Sequence, residues 1–180
     1  MARVVPAVGI VAEQEFEAAR RIIPALTGYS DYRDWLDARE GFALGLSAAG
    51  VERSLISVDL SSFAAWCGMT GEPCDETALD AFAAITLTVR RSGAWRAFAV
   101  LSAVDFRAYC AVAGLEPNSR RGWLRHRRTE KAAAARAACV VVETPVRIEN
   151  FLDWCESLQQ APCDSSLDRY ARLLLEALVG

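Results

Sequence analysis

A chain of 180 residues with 53% apolar and 24% charged side chains can bury one packed core, or two small halves that share one, and is too apolar to stay disordered. No apolar run approaches the roughly 20 residues of a membrane-spanning helix, so no membrane partner is expected. A net charge of −3 excludes a generally basic nucleic-acid binder but leaves room for a local basic site.

The first residues, Met1 to Pro6, lack the continuous apolar stretch of a secretion signal. A cytoplasmic protein is therefore the expectation, with its six cysteines as reduced thiols. Val8–Val11 reads as a short strand. Residues 12–24 place Phe16, Ala19 and Ile23 on one helical stripe, and Pro24 ends it. Thr27 to Ser30 is a turn, with Ser30 as the expected N-cap of a helix through Ala48. Trp35, Arg39, Phe42 and Leu46 recur there at spacings of three and four, and Gly50 closes the helix.

Leu55–Val58 is the second strand. Asp59 then caps a helix carrying Phe63, Trp66 and Cys67, which Gly68 and Gly71 bring to an end. Pro73 bars its continuation, and Asp75 caps the next helix, whose Leu79, Phe82 and Ala83 point inward. Trp95 is expected in a linker after Arg90–Gly93.

From Phe98 the pattern starts again. Phe98–Leu101 is a strand, and Ser102 with Asp105 makes a capping box before Phe106. Gly114 to Pro117 is a turn, and Asn118 or Ser119 caps a long helix over 119–138. Cys139–Val142 is the fourth strand; helices bearing Phe151, Trp154 and Cys155 and then Leu167, Tyr170, Leu174 and Leu175 follow, with Pro162 and Asp164 starting the last.

The two stretches superpose at an offset of 88 residues. Trp35 falls on Trp123, Val58 on Val146, and Phe63-x-x-Trp66-Cys67 on Phe151-x-x-Trp154-Cys155. The fold expected is therefore helix-rich α+β, a tandem duplication of a β-α-α-β-α-α half with about eight helices and up to four short strands. Residues 1–90 form an acidic copy (net −6) and residues 91–180 a basic one (net +3). If the short apolar runs are linkers, the alternative is an all-α helical array. Opposite charge on the copies is compatible with self-association into a homo-oligomer.

Recognisable catalytic chemistry is sparse. His126 is the single histidine, and there is neither a phosphate loop nor a dinucleotide turn. Gly45 to Gly50 resembles a nucleophile elbow with its second glycine one residue late, inside a helical pattern. Cys67/Cys74 and Cys155/Cys163 are spaced too widely for a usual zinc or Cys-x-x-Cys pair, and Cys67, Cys110 and Cys155 suit buried packing positions. No cofactor, metal or catalytic residue is assigned.

The sharpest functional feature is the difference between the copies. Arg120, Arg121, Arg125, Arg127, Arg128, Lys131 and Arg136 lie within seventeen residues against Glu130 alone, whereas the matching stretch from Arg33 carries Asp34, Asp37 and Glu40. Most such runs are solvated helix faces, and Trp123 matches the core residue expected at Trp35. The leading expectation is a non-enzymatic protein-interaction or adaptor protein. The alternative is a nucleic-acid-binding protein that uses Arg120, Arg121, Arg125, His126, Arg127, Arg128 and Lys131 as phosphate contacts.

Overall fold

Short β-branched runs alternate with longer amphipathic stretches, and in the computed structural model they become four strands and eight α-helices among the described residues, 6–50, 53–91, 94–116 and 119–179. In order these are β1 (Ala7–Ile10), α1 (Phe16–Ile22), α2 (Tyr32–Ala48), β2 (Ser54–Ser57), α3 (Leu60–Thr70), α4 (Glu76–Arg91), β3 (Trp95–Val100), α5 (Ala103–Ala113), α6 (Arg120–Arg136), β4 (Val140–Pro145), α7 (Ile148–Ser157) and α8 (Asp164–Val179). Short 3-10 turns, Glu13–Glu15 and Pro24–Gly28, flank α1. The chain divides into two compact units, one drawn from residues 4–92 and one from 93–177.

In the first unit β1 and β2 pair in parallel, Val8 opposite Leu55. In the second, β3 and β4 do the same, Trp95 opposite Val140. Parallel pairing requires a crossover, and two helices supply it each time. Each sheet has only two strands, too few to stand alone, so helices bury its apolar face. Gly9 shows how close that packing is: a Cβ there would lie 2.6 Å from the backbone oxygen of Leu79 on α4.

The core of the first unit gathers Phe16, Trp35, Phe63, Trp66 and Phe82, all buried. In the second unit Phe106, Tyr109, Trp123 and Phe151 pack with ring centroids 5.1 to 6.5 Å apart. Cys67, Cys110 and Cys155 are buried beside them, as packing residues should be. Among the described residues, no three His, Cys, Asp or Glu side chains converge as metal ligands.

Local capping follows the sequence at several points and departs from it at others. Asp59 accepts the N–H of Ser62 (2.7 Å), Asp75 that of Ala78 (2.8 Å), and Ser102 Oγ that of Asp105 (3.1 Å). Gly50, Gly71 and Gly114 take positive φ at or just beyond helix ends, while Gly68 lies inside α3. The α2 cap is Asp31, which accepts the N–H of Asp34 (2.9 Å); Ser30 sits one residue too early and donates its hydroxyl to Asp34 instead. Trp95 is no linker residue: it opens β3, because Val140 offers it a parallel partner. Asp164 is the first residue of α8, as expected, and its carboxylate accepts from side chains of α5 and α6. Asn118 and Pro117 lie outside the described residues.

Candidate nucleic-acid interface

Each unit is tied together by one buried acid–base contact. In the first, Arg39 on α2 closes on Asp80 of α4, and Asp80 Oδ1 accepts the N–H of Gly9 in β1 (2.8 Å). In the second, Arg127 on α6 closes on Asp168 of α8, which accepts the N–H of Ala99 in β3 (2.9 Å). The nearby tryptophans follow the same plan. Trp35 Nε1 donates to Glu76 (2.9 Å), and Trp123 Nε1 donates to Asp164 (3.0 Å). Leu60 N–H reaches Glu15 (3.4 Å), and Ile148 N–H reaches Asp105 (3.1 Å).

Arg127 is therefore a structural cation, with its side chain 3% exposed. Burial works against its charge, but the Asp168 carboxylate outweighs that and raises its pKa. Its guanidinium also lies 4.9 Å over the Phe98 ring and bonds Glu130 (3.0 Å). Lys131 is paired with Glu143, and His126 Nε2 stands 3.7 Å from Glu130. Three of the seven sequence candidates thus already face acids of their own unit.

The other four come together. Arg120, Arg121, Arg125 and Arg128 line one surface hollow of about 620 Å³ on α6, with Leu124 between them. Helical spacing explains the sorting: Trp123, Arg127 and Ala134 form the buried stripe, while 121, 125 and 128 fall on a neighbouring, exposed one. Among the described residues, no carboxylate lines the hollow and no ion pair uses these four guanidinium groups.

The beginning of α6 is also electrostatically unfavourable on its own. Its first turn has no acidic residue, two arginines occupy it, and Ser119 makes no side-chain capping bond. Cations at the positive end of a helix dipole cost stability rather than add it. The matching helix α2 has Asp31 as cap and Asp34 in its first turn. Sequence reading found the four arginines but missed Leu124, whose apolar character hid its place between them.

Comparison with protein-family models, with curated proteins and with solved structures finds no match.

Proposed function

We propose that this chain is a non-enzymatic binding protein whose arginine face on α6 takes the phosphate backbone of a nucleic acid. The observation that carries this reading is the shared, carboxylate-free hollow of Arg120, Arg121, Arg125 and Arg128. Guanidinium forks fit phosphate oxygens in bidentate fashion, and an anion there offsets the repulsion built into the first turn of α6. Backbone contacts of this kind set affinity and its salt dependence, not base sequence. The polar groups repeated in both units are engaged with one another in holding the fold, which favours binding over catalysis. Their correspondence also supports a tandem duplication in which one copy turned basic. Salt-dependent binding to a labelled oligonucleotide, lost on removing the arginines, is the test.

A second reading, an adaptor that binds another protein, is favoured by α5. Val104, Val112 and Leu115 are 69%, 46% and 38% exposed on and just beyond that helix. Exposed apolar stripes of this kind mark interaction surfaces. Charging Val104 and Val112 to Lys would abolish capture of such a partner and leave oligonucleotide affinity intact; loss of both together would count against two separate surfaces.

A further inference from the structure

The second unit also holds a cavity that phosphate binding does not use. It measures about 460 Å³, with Tyr109, Leu115 and Trp123 among its apolar walls and Ser119, His126 and Cys163 among its polar groups. That volume lies within the roughly 300–1,000 Å³ of small-molecule sites, which combine apolar walls with a few polar anchors. Aromatic walls favour a flat ligand.

Two of the polar groups point to an occupant. Ser119 Oγ is shielded from solvent and has no hydrogen-bond partner among the described residues. A buried hydroxyl left unpaired is unfavourable, and a ligand carbonyl would satisfy it. Cys163 is the exposed thiol among the cysteines: Cys67, Cys110 and Cys155 are buried, and Cys74 and Cys139 partly so. Its Sγ lies 3.1 Å from Ser165 Oγ and 3.4 Å from Ser166 Oγ, immediately before the first turn of α8. Hydrogen bonding with Ser165 and then with Ser166 lowers its pKa, which enriches the nucleophilic thiolate.

We propose that this cavity binds a small planar molecule with an electrophilic carbon, of the α,β-unsaturated carbonyl class, and that Cys163 captures it. The thiolate sulfur bonds to the β-carbon, the π electrons shift to the α-carbon, and that carbon takes a proton from water. No oxidant or reductant enters the step. Capture is stoichiometric.

The reduced full-length chain, treated with N-phenylmaleimide or N-methylmaleimide, tests this directly. Peptide mapping should place the first adduct on Cys163. The phenyl-to-methyl rate ratio should exceed the ratio on free glutathione by about tenfold, equivalent to about 1.4 kcal/mol of ring binding. Gly122 lines the cavity and a Cβ there meets nothing within 4 Å, so a side chain can start from this position and Gly122→Leu should narrow the space. That variant should return the ratio to the glutathione value with the N-methylmaleimide rate unchanged. A first adduct on another cysteine, a glutathione-like ratio in the parent chain, or an unchanged ratio in Gly122→Leu would each overturn the proposal.

Discussion

Arg39 is buried against Asp80, and the carboxylate that neutralises it also holds the N–H of Gly9, so one acid joins α2, α4 and β1. Removing one partner of such a pair strands an unpaired charge, at a cost of about 3–5 kcal/mol. Asp80→Ala should therefore lower stability by that amount in urea unfolding followed by circular dichroism. Asp168→Ala should also destabilise the second unit, by less, because Arg127 keeps Glu130 as a partner. Truncating the exposed Arg33–Asp37 pair should cost about 0.5 kcal/mol or less.

Two glycines of the chain should respond to alanine in opposite directions. Gly9→Ala drives a methyl group into the Leu79 backbone, and overpacking of this kind costs about 1–3 kcal/mol. Gly122 sits inside α6 with open space around it, so Gly122→Ala should stabilise by about 0.5–1 kcal/mol. Urea midpoints of the two variants check both signs.

Alkaline pH should weaken the fold. Burial first, then neighbouring Cys74, pushes the Cys67 thiol up to about 12. Burial and the hydrogen bond to Asp164 (2.7 Å) raise the Tyr109 phenol as well. The folded chain thus keeps protons that the unfolded chain releases. Their stabilisation is complete below the unfolded values, about 8.5 for cysteine and about 10 for tyrosine. For Cys67 it is lost as pH rises from there towards about 12. Urea midpoints under reductant should fall between pH 8 and pH 11, and the fall should be shallower in Cys67→Val.

Much of this architecture is legible in the residues. Phe63, Trp66 and Cys67 mark a helix face, Asp59 its start and Gly71 its end, because those signals act over one helical turn. Parallel pairing was harder to read: Trp95 becomes a strand residue only through Val140, forty-five positions away. Asp164 marks the start of α8 as its local sequence suggests, but that Tyr109 and Trp123 donate to its carboxylate depends on tertiary packing and could not be read locally. Composition placed Arg127 with its basic neighbours. Its spacing of four from Trp123 already assigned it to the buried stripe, as Arg39 is four from Trp35.

The arginine hollow is best tested by fluorescence anisotropy of a short labelled oligonucleotide, titrated with the full-length chain across a range of salt. The parent chain should bind with log affinity falling linearly against log salt. Arg121→Ala, Arg125→Ala and Arg128→Ala combined should weaken binding at low salt and reduce that slope by about 2–3, the share of three phosphate contacts. Unchanged affinity and slope in the triple variant, with its helical circular dichroism intact, would contradict the account.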